Sequence, residues 1–131
     1  MPQYVVDKCV HALNGDGKSL NGSKVLVLGI AYKRDVDDCR ESPSIHVMEV
    51  VRGWGADVAY SDPNVAVFPK MRERTFDLTS VDMTAANIAN FDAVLLLTDH
   101  GDFDYDMIKT NAQILIDTRV HYRGETGVIQ G

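Results

Sequence analysis

The chain alternates short unbroken apolar runs with longer stretches in which apolar positions recur at helical spacing. "VLVL" at residues 25–28 and "AVLLL" at 93–97 are continuous runs, as expected of strands buried on both faces. The first strand is expected within "KVLVLGIAY", Lys24 to Tyr32. The segment "SPSIHVMEVVRGWGADV" places Val47, Met48, Val51 and Trp54 on one helical face. Ser42 can accept a hydrogen bond from a free amide of the first turn, Pro43 suits the first helical position, and Gly53 and Gly55 mark the exit. "ADVAYSDP" reads as a second strand ending at Asp62-Pro63. Together these form a β-α-β unit, whose crossover is right-handed.

The pattern is weak over residues 64–83, where a short helix and a short edge strand are expected with Pro69 as a break. It sharpens at "TAANIAN", a short helix leading into the strand Ala93–Leu97. "DYDMIKTN" reads as one or two helical turns and "AQILIDTR" as the last strand, while "GETGVIQG" shows no strong pattern. At the start of the chain, Tyr4, Val5, Cys9 and Ala12 or Leu13 follow helical spacing, and Asn14 to Ser23 is a Gly/Asn/Ser-rich connection. The expected organisation is the end of a connecting helix plus linker over 1–23, then an α/β domain over 24–131. The fold class is a Rossmann-like doubly wound parallel sheet with helices on both faces. On this division Val5, Val6, Cys9 and Leu13 are left partly bare, a candidate sticky patch.

Composition narrows the function. With 131 residues, 45% hydrophobic and 24% charged, the chain is one ordinary globular domain. A net charge of −6 argues against a nucleic-acid groove or an anionic membrane surface as main partner, although it leaves room for one local cationic pocket. No apolar run approaches the ~20 residues of a membrane span, and the start lacks the pattern of a signal peptide. Two cysteines make no disulfide framework, so a reduced, cytoplasmic setting is expected.

Charge concentrates in "GIAYKRDVDDCRESPS", residues 29–44, with three cations and four acids. Twelve residues separate Ile30 from Pro43, against the ~2–6 of an ordinary βα connection. Ligands of doubly wound sheets lie outside the carboxyl ends of the strands. Three segments meet that condition: Ala31 to Cys39, Thr98-Asp99-His100, and Asp117-Thr118-Arg119. Lys33 suits a phosphate oxygen, and Arg40 and Arg119 each offer a planar fork for two oxygens. Tyr32 offers a ring face or hydroxyl to a base or ribose, and Asp35, Asp37, Asp38 and Glu41 can hold the arginines in place. The alternative is a solvated loop laced by surface ion pairs, each worth ~0–1 kcal/mol. Spacing alone leaves both open.

The dinucleotide fingerprint G-x-G-x-x-G is absent, since Gly29 is followed by Ile-Ala-Tyr-Lys. Asp62 ends the second strand, where a ribose-binding acid can sit, but it lies 33 residues beyond Gly29 rather than ~20. An independent NAD site of the ordinary type is therefore not expected. His11 and His121 have no spaced partners for a metal. His46 sits beside the buried helical face and is expected partly exposed, and His100 stands at the ligand edge, as a turn residue or in a supporting role. Cys9 reads as core, and Cys39 is the more exposed thiol. The acids around Tyr105 read as a solvated turn, because a calcium loop needs more regular spacing.

The run A-Y-K-x-D-x-x-D-x-R-E-S-P (31–43), with "YSDPNV" at the end of the second strand and "DTR" at 117–119, resembles the C-terminal, UDP-binding domain of the UDP-glucose/GDP-mannose dehydrogenases. The opening "MPQYVVDKCVHALN…KSLNGSKVLVLGIAYK" is most similar to members that oxidise UDP-N-acetylhexosamines, such as UDP-N-acetylglucosamine 6-dehydrogenases. The resemblance implies a domain of an NAD-dependent enzyme that oxidises the sugar C6 alcohol to the carboxylate in two steps. It implies that Tyr32, Lys33 and Arg119 bind the UDP-sugar and that Arg40 reaches NAD held mainly by another domain. The catalytic cysteine context of the family is not in these residues, so the chain alone is expected to be inactive. The full-length parent is expected to be a homodimer, and this portion either a monomer or associated only through its first helix. A stand-alone nucleotide-binding or regulatory module is the alternative. The choice of sugar is not legible.

Overall fold

The computed structural model describes residues 2–15, 17–30, 43–63, 65, 80–98, 100, 103–118 and 129–130. Helix α1 spans Pro2–Gly15, strand β1 Lys24–Leu28, helix α2 Pro43–Gly53, strand β2 Asp57–Ser61 and helix α3 Ala85–Ala89. Strand β3 is Ala93–Leu96, helix α4 Tyr105–Asn111, strand β4 Leu115–Asp117 and strand β5 Ile129–Gln130. The five strands form one sheet in the order β2-β1-β3-β4-β5, and every neighbouring pair is parallel. The chain thus builds β2 on one side of β1 and then crosses to β3 on the other. That reversal is the switch point at which doubly wound sheets open a crevice.

Alternation along the strands explains the two layers. Val25 and Val27 of β1, with Leu95 of β3 and Ile116 of β4, enter one buried cluster with α1 and α2. Leu26 and Leu28, with Val94, Leu96 and Leu115, enter the other with Ile88 of α3 and Ile108 of α4. Both faces are covered, which is why the strands read as unbroken apolar runs. Local chemistry fixes the short helices. Thr84 Oγ1 accepts from the Asn87 amide at 3.2 Å to start α3, and Asp104 Oδ1 accepts from Met107 N at 3.2 Å to start α4.

The structure departs from the sequence reading in three places. First, Val5, Val6, Cys9 and Leu13 are 0–5% exposed and belong to the same cluster as β1 and α2, so these four form no bare patch. Their apolar stripe meets the sheet directly instead of awaiting a partner. Second, Trp54 is 50% exposed and does not share the buried face of Val47, Met48 and Val51. The helix has ended at Gly53, and Gly55 at φ +93° turns the chain, so the 3.6-residue period no longer applies at Trp54. Third, "AQILIDTR" holds strand β4 as expected but is not the last strand, which is β5, drawn from the patternless tail. A two-residue edge strand is too short to carry a period. Residues 80–83 form no strand, although the Val81 amide donates to Tyr60 O at 2.8 Å; the rest of the expected 64–83 elements lies outside the described residues, apart from Val65.

Candidate functional site

The carboxyl ends of β1, β2 and β3 converge on a buried polar cluster. The chain leaves β1 through Gly29, at φ +85°, a conformation that side-chain-bearing residues rarely take. Gly29 N donates to Ser61 O at 2.9 Å, while Leu28 O accepts from both Leu97 N (3.0 Å) and Thr98 N (3.2 Å). A Cβ on Gly29 would lie 2.4 Å from Thr98 O, so the bare backbone allows β1 and the end of β3 to meet.

One step on, Ile30 N donates to Asp62 Oδ2 at 2.9 Å. His100 Nε2 lies 2.9 Å from that same oxygen, with both side chains fully buried. A hydrogen on Nε2 makes the imidazole the donor and the carboxylate oxygen the acceptor of this contact. His100 is fixed in turn: Tyr105 Oη donates to His100 O at 2.6 Å, and the Phe103 ring is centred 5.8 Å from the imidazole. Across the crevice, Thr98 and Asp117 are also wholly buried. Thr118 Oγ1 donates to Leu96 O at 2.7 Å, tying the end of β4 to β3.

These contacts assign Asp62 a role different from the ribose acid considered above. Its carboxylate is 1% exposed and holds the backbone where β1 ends. His100 is the buried partner of that carboxylate. The pairing of residues 38 positions apart was not readable from sequence; the hints were an acid before Pro63 at one strand end and a histidine just past another. His11 and His46 are exposed. No group of three or more metal-ligating side chains occurs among the described residues. Asp104 of the acidic turn is spent on capping α4. Cys9 is fully buried, and desolvation raises its thiol from 9.0 to about 11, in keeping with a core role.

Tyr32, Lys33, Arg40 and Arg119, the residues singled out for ligand contact, lie outside the described residues, as does Cys39. Where their flanking strands end is described. β1 closes at Leu28 and β4 at Asp117, on one edge of the sheet with only β3 between, roughly 10 Å apart at the usual strand spacing.

A parallel sheet wound in this order, with helices on both faces, defines a doubly wound α/β domain of the Rossmann-like class. The chain belongs to the UDP-glucose/GDP-mannose dehydrogenase family, whose UDP binding domain matches residues 26–123. It is 38% identical over 103 residues to UDP-glucose 6-dehydrogenase AglM of Haloferax volcanii, covering 76% of this chain and 24% of that protein. It is 33% identical over 129 residues to a UDP-N-acetyl-D-mannosamine dehydrogenase of Methanococcus vannielii, covering 91% and 27% respectively. The crystal structure of NDP-N-acetyl-D-galactosaminuronic acid dehydrogenase from Methanosarcina mazei superposes with a TM-score of 0.74 at 27% identity, over 99% of this chain and 28% of that one. The chain therefore spans about a quarter of the length of the curated relatives it matches. No helix among the described residues is long and apolar enough to cross a membrane.

Proposed function

We propose that this chain is the C-terminal UDP-sugar-binding domain of an NAD-dependent nucleotide-sugar 6-dehydrogenase, with residues 24–131 as the binding unit and 1–23 as its leading helix and connection. The match of the UDP binding domain across 26–123, enclosing the cationic run after β1 and the arginine after β4, carries this reading.

In this proposal Lys33 and Arg119 hold the diphosphate. Lys33 contributes a mobile ammonium and Arg119 a two-pronged guanidinium. Tyr32 contacts the nucleoside or sugar, and Arg40 reaches NAD, which the rest of a longer enzyme holds. In this proposal the domain binds and orients the nucleotide sugar, while the redox chemistry is supplied by the nicotinamide. On this reading the overall reaction takes the sugar C6 alcohol and one water to a carboxylate, with two hydrides passing to two NAD+ and three protons released. A UDP-N-acetylhexosamine is the favoured substrate, supported by alignments with UDP-N-acetyl-D-mannosamine dehydrogenases that take in 91% of this chain and 27% of those proteins. The setting is cytoplasmic, and the longer enzyme is a homodimer.

Titration of the ¹⁵N-labelled chain with UDP tests the binding half. Amide shifts should cluster at the strand ends around Ile30, Thr98 and Thr118. Lys33→Ala and Arg119→Ala should each weaken binding at least tenfold. Incubation with NAD and UDP-sugars should yield no NADH from this chain alone. Absence of shifts at millimolar UDP counts decisively against the reading.

A further inference from the structure

We propose that Asp62 and His100 form a positioning pair for nucleotide binding, acting through the backbone amide of Ile30; the inference rests on the UDP-binding reading above. Ile30 is the last described residue before the cationic run, and Tyr32 and Lys33 follow it by two and three positions. Its amide is at 2.9 Å from Asp62 Oδ2, the oxygen that also meets His100 Nε2 at 2.9 Å. Neither side chain reaches solvent, as both are 0–1% exposed. Their influence on binding travels through the groups they hold, the Ile30 amide among them.

Simple strand pairing does not require such a device. β1 already has the β2 and β3 ladders on its two sides, and Gly29 N is satisfied by Ser61 O. A buried carboxylate and imidazole are expensive to desolvate unless firmly paired. Here they stand where the chain turns out of the sheet at the switch point, one residue after the glycine that lets it turn. The pair fixes the direction in which the backbone departs, and hence where the residues after Ile30 begin. His100 is itself anchored at its carbonyl by Tyr105 Oη at 2.6 Å, so the chain of contacts runs from α4 through His100 and Asp62 to the end of β1. A departure point held in one geometry before ligand arrives lowers the cost of binding.

The test uses the full chain with His100→Ala, His100→Gln and Tyr105→Phe variants. Three quantities are measured: UDP affinity by calorimetry, hydrogen exchange of the Ile30 amide, and thermal melting. His100→Ala should weaken UDP at least tenfold and speed Ile30 exchange, with the melt still cooperative. His100→Gln, which keeps an N–H donor, should recover most of both, as no purely volume-filling role would require. Should His100→Ala not fold, Tyr105→Phe decides, with a two- to fivefold loss of affinity expected. Equal UDP affinity across the folded variants, with the unaltered chain binding, overturns the positioning role alone. If the unaltered chain does not bind UDP, the nucleotide reading itself falls and this inference falls with it.

Discussion

Gly29 and Thr98 meet across the crevice between β1 and β3 so closely that any side chain on the glycine would strike the Thr98 carbonyl. The added Cβ would stand 2.4 Å from that oxygen and 2.6 Å from Thr98 Cβ, in a backbone conformation at φ +85°. The oxygen belongs to the backbone and cannot swing aside. Gly29→Ala is expected to cost roughly 2–4 kcal/mol, from combined left-handed strain and overlap. Urea unfolding of the two proteins measures it, and a loss below about 1 kcal/mol would mean that the strands separate easily here.

Cys9 should be chemically silent in the folded protein. Burial raises its thiol to about 11 from 9.0, so the thiolate fraction near neutrality drops about a hundredfold before steric protection is counted. In a Cys39→Ser background, a colorimetric thiol reagent should react at least about a hundredfold more slowly in buffer than in denaturant. Comparable rates would place Cys9 outside the core.

Asp92 ties the connection after α1 to the start of β1. Its Oδ2 accepts from Lys24 N at 2.8 Å, and its Oδ1 accepts from Lys18 Nζ at 2.9 Å. The Lys24 amide first, and the Lys18 ammonium second, hold the carboxyl below its ordinary 3.8. Because the folded value is the lower one, the unfolded chain takes up the proton first as pH drops. The stabilisation is complete above pH ~4 and is lost as pH falls through the depressed folded value. Asp92→Asn should lower stability near neutral pH by about 1 kcal/mol or less, since the site is partly exposed. It should also flatten the acid limb of the stability curve below pH ~4, and an unchanged acid limb would show that the contact contributes nothing.

Trp54, the single tryptophan, should report solvent even in the native protein. At 50% exposure its emission should resemble that of indole in water and be quenched efficiently by acrylamide. Trp54→Ala should change stability by no more than about 0.5 kcal/mol. A blue-shifted, protected emission would show the ring to be covered.

The parallel sheet was legible because burial on both faces writes itself into sequence as unbroken runs, "VLVL" and "AVLLL". Helices α1 and α2 were legible from apolar spacing, and Pro43 opens α2 as its fixed φ suits. What stayed hidden depended on contacts distant in sequence. Nothing in residues 1–23 says whether Val6 and Leu13 face a sheet or a second protein, and the β5 pair Ile129–Gln130 carries no period. The convergence of the β1, β2 and β3 ends on one edge of the sheet was legible, whereas the roles expected of Lys33 and Arg119 lie outside the described residues. The Asp62–His100 pair was not, since each residue taken alone suits a ribose contact or a plain turn.

The seating of α1 has a mechanical consequence. Val5, Val6, Cys9 and Leu13 lock the helix onto the same layer as α2 and β1, and Ser23 O bonds Asp57 N at 2.8 Å to fasten the segment between. A force or tilt applied along the first helix would be transmitted to the sheet as through a lever arm, without slack from a loose tether. Swinging that helix would carry the rim of the crevice with it.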